Sequence, residues 1–70
     1  MEHLKKLEYY ASKGIGIAVF EDKKSDYQWY SNIINAKNNE SEIIYGYNSF
    51  LEALEEAFEI ADWYLIDIGL

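Results

Sequence analysis

The last third of the chain carries a run of carboxylates with a tryptophan among them. These residues are Glu52, Glu55, Glu56, Glu59, Asp62 and Trp63. Carboxylates three and four residues apart on a helix lie about 5–6 Å from one another, which roughly resembles the phosphate spacing of a nucleic acid strand. A tryptophan ringed by polar residues is typical of an interface hot spot. We therefore predict a docking surface for a partner protein; the alternative is a solvated acidic helix face.

The charge distribution indicates what kind of partner would bind. The formal net charge is −7, and residues 48–70 contribute −6 of it without a single lysine. A field of this sign repels phosphate backbones and attracts basic protein surfaces. We expect no direct binding of nucleic acid and a protein partner with a basic surface.

Catalytic and metal-binding residues are scarce. His3 is the only histidine, and there is no cysteine. A zinc site needs several histidine or cysteine ligands, and a nucleophilic triad needs a histidine paired with an acid, which His3 near the terminus does not obviously have. The glutamates lack the loop pattern of a calcium site. The pair of glycines at 14 and 16 is more typical of a helix stop and strand start than of a phosphate loop. The sequence predicts a non-enzymatic protein without metal or cofactor.

Size and composition favour one domain, residues 1–70. A chain of 70 residues buries a modest core, and without cysteines it needs dense aromatic packing, self-association, or both. A homodimer is therefore one expectation. No apolar run reaches the roughly 20 residues needed to span a bilayer, and no secretory signal is visible. We expect a cytoplasmic protein with no membrane contact.

The spacing of apolar residues predicts a small α+β domain in the order α-β-β-β-α. The long C-terminal acidic amphipathic helix would pack on one face of a three-stranded antiparallel meander. The predicted helices are 2–12 and a second helix that Ser49 caps, with Glu52 three residues on, and that ends at about Ile66. The predicted strands are 14–20, 27–34 and 42–47, and the loops are 21–26 and 35–41. Residues 64–70 alternate and could instead form a short final strand.

Helical periodicity also predicts which residues of the last helix face the sheet. These are Leu51, Leu54, Phe58, Ala61 and Leu65, extended by Ala57 and Tyr64. Trp63 and Ile66 then fall within the acidic arc, although Trp63 could instead cover the sheet edge or the first helix. In that first helix, Leu4, Leu7 and Ala11 share one face.

The strands are rich in aromatic residues. Tyr27, Trp29, Tyr30, Tyr45 and Tyr47 would be mostly core, or else a base-stacking platform of the kind found in single-strand binders. Such binders also need basic residues, which are few here. Tyr30 and its neighbours on the helix-free face could be a dimer or partner patch.

The stretch "SFLEALEEA" at the start of the last helix follows the predicted strands in a layout that loosely resembles the HicB antitoxin family over residues 15–65. That resemblance implies a regulatory domain that binds a small toxin. The proline- and glycine-containing stretch that precedes the helix in the family is missing here.

The favoured interpretation is a stoichiometric inhibitor whose acidic helix covers a nucleic-acid-binding surface of its partner. Small acidic proteins that phages and mobile elements use against CRISPR or restriction systems have this size and charge. The alternatives are a HicB-like antitoxin or regulatory domain, and a self-associating structural domain without an inhibitory role.

Overall fold

A helix, three strands and a second helix follow one another along the chain. In the computed structural model, which describes residues 2–24 and 28–67, they are α1 (Glu2–Ser12), β1 (Ile15–Glu21), β2 (Trp29–Asn35), β3 (Glu40–Tyr47) and α2 (Phe50–Asp67). The strands form one antiparallel sheet in the order β1-β2-β3, and α2 packs on one side of it. The predicted α+β fold is confirmed. Within the described ranges, no helix is long and apolar enough to cross a membrane.

The strand boundaries differ from the prediction by a few residues. β2 begins at Trp29 and includes Asn35; Tyr27 lies outside the described residues. The predicted loop at 35–41 is a turn of only four residues, because Asn35 already pairs with Glu40. Asn39 closes this turn with φ at 57°, a left-handed conformation that asparagine adopts more readily than most residues.

The alternative of a final strand is wrong for the part of the tail that the structure describes. Residues 64–67 belong to the last turn of α2, and 68–70 lie outside the described residues. Alternating apolar residues over so short a stretch cannot distinguish a strand from a helix end.

The face that α2 turns to the sheet is built around small side chains. Ala53, Ala57 and Ala61 are completely buried and recur every four residues, so they form one line along the helix. This line lets the helix lie close to the sheet. Ser31 on β2 is fully buried beneath it, and its hydroxyl donates a 2.8 Å hydrogen bond to the carbonyl oxygen of Ala53. Larger buried side chains flank the alanines, namely Leu54, Phe58 and Tyr64.

The predicted sheet-facing side of α2 needs correction at its edge. Leu51 is 48% exposed rather than buried, and Leu65 is only partly buried. The buried arc is centred between Ala57 and Ala61, about a sixth of a turn (roughly 60°) from the direction that the large apolar residues indicated. The reason is that close contact between helix and sheet favours small side chains. A prediction that ranks residues by hydrophobicity places large side chains such as Leu51 in the contact instead.

α1 is anchored by Tyr10 and not by the predicted line of Leu4, Leu7 and Ala11. Leu4 and Ala11 are exposed, and only Leu7 of the three packs against the core. Tyr10 is buried, with its ring 5.6 Å from that of Phe58 between centroids. The ring of Tyr10 buries more apolar surface in this contact than Leu4 or Ala11 could.

The end of α1 follows the predicted glycine stop. Gly14 has φ at 85°, a left-handed conformation that costs glycine little. Its amide donates a 3.0 Å bond to the carbonyl oxygen of Ala11, which satisfies one of the free carbonyls at the helix end. The chain then turns directly into β1, whose first residue, Ile15, is buried in the core.

Candidate functional site

The helix that carries the carboxylates begins at the predicted cap. The backbone amide of Glu52 donates a 3.1 Å hydrogen bond to the side-chain oxygen of Ser49, the residue just before α2. This bond satisfies one of the free amides of the first turn. The carboxylate of Glu52 also lies near the positive end of the helix dipole, where negative charge is favourable. The cap therefore sets where the acidic run starts on the helix.

The structure brings all six predicted site residues to the solvent side of α2. We call this surface the acidic face; it consists of Glu52, Glu55, Glu56, Glu59, Asp62 and Trp63. Glu56 is partly buried and the other five are exposed. They lie on this side because the buried alanine line occupies the opposite arc of the helix.

Trp63 is the most exposed large apolar residue of the described chain, with 67% of its surface accessible. It does not close over the sheet edge or over α1. Ile66, one turn further on, is also exposed, and together with Glu59 and Asp62 these two side chains line a shallow surface depression. The exposed Trp63 side chain thus lies next to carboxylates, as the helical spacing predicted.

The carboxylates of the acidic face repel one another. The negative charge of Glu59 raises the pKa of the Glu56 carboxyl, and a hydrogen bond with Glu59 and partial desolvation act in the same direction. Burial raises the pKa of the neighbouring Tyr47 hydroxyl, and Glu56 adds to that increase. Among the described residues, the ion pair within 4 Å joins Lys23 and Glu21, far from this face in the chain. A positively charged partner would relieve the repulsion.

Asp62 differs from the other carboxylates because it has a partner within the protein. The Tyr10 hydroxyl donates a 2.6 Å hydrogen bond to its carboxylate. Burial, followed by this hydrogen bond, raises the pKa of Tyr10 well above its ordinary value. Asp62 therefore ties α1 to α2 and leaves part of its surface toward solvent.

His3 is used for packing. Its ring stacks on that of Phe58 at 6.1 Å between centroids, and the ammonium group of Lys6 lies 5.0 Å from the same ring. Within the described residues, no group of three or more histidine, cysteine, aspartate or glutamate side chains is arranged to hold a metal ion.

The aromatic residues of the strands do not form a single platform. Trp29 lies on the helix side, edge-to-face with Phe50 at 5.7 Å. Tyr30 and Tyr45 lie on the opposite side, stacked at 5.4 Å. The third member of that stack is Phe20 of β1, 5.0 Å from Tyr30. Phe20 was not among the aromatic residues predicted to form a platform, although strand alternation places it on the helix-free side.

Comparisons with known proteins do not assign a function to these surfaces. A scan against protein-family models found no match, and searches of curated proteins and of solved structures found none either. The loose resemblance of residues 15–65 to HicB antitoxins therefore stays a hypothesis from the sequence.

Proposed function

We propose that the protein binds a partner protein through the acidic face and thereby blocks a basic, nucleic-acid-binding surface on that partner. The observation that carries the proposal is Trp63, which lies exposed beside the carboxylates of α2 while the helix buries its opposite side. A large apolar side chain gains most when a partner removes it from water. The surrounding carboxylates would select a partner rich in lysine and arginine.

The electrostatics support a cationic partner. Glu56 and Glu59 repel each other enough to raise the pKa of Glu56. A lysine or arginine placed between them would lower that pKa and favour both charges. Because the carboxylates recur at a spacing close to that of phosphates, a groove shaped for a nucleic acid strand is a suitable receptor. The net charge of −7 would accelerate encounter with such a groove.

The decisive experiment is affinity capture from a lysate of the source organism or its host, with matched charge variants as bait. The test bait is the double variant Glu55→Lys and Glu59→Lys on the acidic face. The control bait is Glu2→Lys and Glu8→Lys, which makes the same change in charge at two exposed residues of α1. We expect wild type and control to retain one basic nucleic-acid-handling protein, and the test bait to lose it.

Two further readouts separate this function from other binding. Retention should weaken steeply with salt, because exposed charges are screened beyond about 8–10 Å at physiological ionic strength. Trp63→Ala should weaken retention about tenfold or more while leaving the thermal unfolding midpoint almost unchanged. A small partner held equally at low and high salt would favour an antitoxin-like role. Equal retention by the test bait, or no specific partner at all, would contradict the proposal.

A further inference from the structure

The side of the sheet that faces away from the helices is largely apolar and uncovered. Strand alternation places every second residue on it, and we call this surface the open face. At one end, the rings of Phe20, Tyr30 and Tyr45 form a continuous row across all three strands, with neighbouring centroids 5.0 and 5.4 Å apart. Phe20 and Tyr45 are exposed. An exposed aromatic row of this kind usually marks an interaction surface.

Away from the aromatic row, the side chains of the open face become smaller along the two outer strands. Cross-strand pairing aligns Ala18, Asn32 and Ile43 in a middle row, and Gly16, Ile34 and Ser41 in a row at the far end. The face therefore has large side chains at one end and, on its two outer strands, very small ones at the other. Asn32 is the central residue of the central strand, and its side-chain oxygen is buried without a hydrogen-bond partner among the described residues.

The open face is also free of charge. The strand residues on it include no lysine, aspartate or glutamate, because Glu40 and Glu42 pair with the buried Asn35 and Ile33 and so project to the helix side. A nucleic acid would find no cation here to hold its backbone. In a protein of net charge −7, this is a surface by which two copies can meet without opposed carboxylates.

We propose that a second copy of this chain covers the open face, related by a two-fold axis that lies between the sheets and passes near Asn32. The axis runs across the strands, so each strand lies antiparallel over its own counterpart. The two Asn32 side chains then lie nearest the axis, at the centre of the interface. A single polar contact in an apolar interface is a known means of fixing register.

The graded face makes this arrangement self-complementary. The two-fold axis places Phe20 of one copy over Gly16 of the other, and Tyr45 over Ser41. A Cβ atom built on Gly16 would meet nothing within 4 Å, so there is open space above it to receive a ring. The outer rings of each copy therefore pack over the smallest side chains of the other, while Tyr30 lies over Ile34, and the contacts repeat in both directions as an isologous interface requires.

Area and charge are compatible with such a dimer. Three strands of about seven residues present roughly 14 by 23 Å of flat face, so the two faces cover about 650 Å² before side-chain relief is added, which indicates a weak dimer below the standard size of specific interfaces. Sheets stacked about 10 Å apart, each backed by a helix about 10 Å wide, hold the two acidic faces at least about 30 Å apart. That separation exceeds three Debye lengths at physiological salt.

Sedimentation equilibrium over about 1 µM to 1 mM protein tests the proposal. The mass of one chain is 8.2 kDa; we expect the average mass to approach twice that value at high concentration. Gly16→Phe should weaken dimerisation at least about 100-fold, because the new ring occupies the space of the partner's Phe20. The matched control is Ala11→Phe, which adds the same ring at an exposed position of α1 and should leave dimerisation unchanged.

A rescue variant distinguishes this contact from general damage. In Gly16→Phe with Phe20→Ala, the large and small residues exchange places across the interface, and the dimer should return to within about tenfold of wild type. Circular dichroism of each variant shows whether the monomer still folds. A monomer at every concentration would overturn the proposal, and so would a dimer unaffected by Gly16→Phe.

Dimerisation through the open face and partner binding through the acidic face can be tested independently. Burial of an apolar face is insensitive to salt or strengthened by it, whereas docking through carboxylates weakens as salt rises. The Glu55→Lys, Glu59→Lys variant should dimerise as wild type does. Its loss of self-association would contradict the open-face dimer and would leave the partner-binding proposal intact.

Discussion

Tyr10 joins two kinds of contact in one side chain, since its ring packs on Phe58 and its hydroxyl donates to Asp62. The hydroxyl is what connects the short α1 to the acidic face. Asp62 is exposed, so water can replace the lost donor when the hydroxyl is removed. Tyr10→Phe should therefore lower the free energy of unfolding by only about 0.5–1.5 kcal/mol at neutral pH, as measured by urea denaturation.

The same substitution has a signature at high pH. The pKa of Tyr10 is raised in the folded protein, so the fold prefers the protonated hydroxyl. That stabilisation is fully present below the unfolded pKa of about 10 and is lost as pH rises above it. Wild type should lose stability above about pH 10 more steeply than Tyr10→Phe. The remaining slope belongs partly to Tyr47, whose pKa is also raised. Equal slopes for both proteins would show that the hydroxyl is not held as described.

At the scale of the element, the closeness of α2 to the sheet depends on its line of alanines. Ala57 is completely buried in the middle of that line. Ala57→Leu should destabilise the protein by about 1–3 kcal/mol, because three added carbons must push the helix away from β2. Displacement would also strain the 2.8 Å bond between Ser31 and the carbonyl of Ala53. The measurement is the midpoint and slope of urea unfolding.

The matched control makes the same change where no sheet lies opposite. Ala11 is an exposed helical residue of α1, and alanine and leucine have similar helix propensities. Ala11→Leu should alter stability by less than about 0.5 kcal/mol. A similar loss in both variants would point to a general effect of leucine in these helices and would contradict close packing at Ala57.

For the whole molecule, the relevant quantity is a net charge of −7 concentrated on one side of a domain with a small core. Because repulsion from Glu59 raises the pKa of Glu56, the folded protein favours the protonated form of this carboxyl more than the unfolded chain does. Protonation of Glu56 therefore stabilises the fold, and this contribution is lost as pH rises through the raised pKa of Glu56. The unfolding midpoint should therefore rise when salt screens the carboxylates at neutral pH.

A pair of isosteric variants locates that effect. Glu56→Gln should raise the unfolding midpoint at low salt and reduce its dependence on salt, because it removes a charge from the crowded cluster. Glu8→Gln removes one charge from α1, where lysines are close in sequence, and should do neither. Thermal unfolding at about 20 and about 500 mM sodium chloride, between which the Debye length shortens several-fold, measures both effects. Identical salt dependence in the two variants would argue against repulsion at Glu56.

By itself, the amino-acid sequence determined the order of the elements, the stops and caps at Gly14 and Ser49, and the placement of the carboxylates and Trp63 on one side of the last helix. These features are local, since helical and strand periodicity and capping depend on residues a few positions apart. The open face was also foreseen in outline, from the alternation along the strands.

Tertiary structure alone decided which apolar residues are core. Leu4 and Leu51 have the hydrophobicity of core residues but point to solvent, whereas Tyr10 and the alanine line are buried. For α2, the distance between the helix and the sheet sets this choice, and that distance emerges only when all the side chains between the two layers are packed together. The same holds for the row of Phe20, Tyr30 and Tyr45, because its alignment depends on strand register, which pairs residues far apart in the chain.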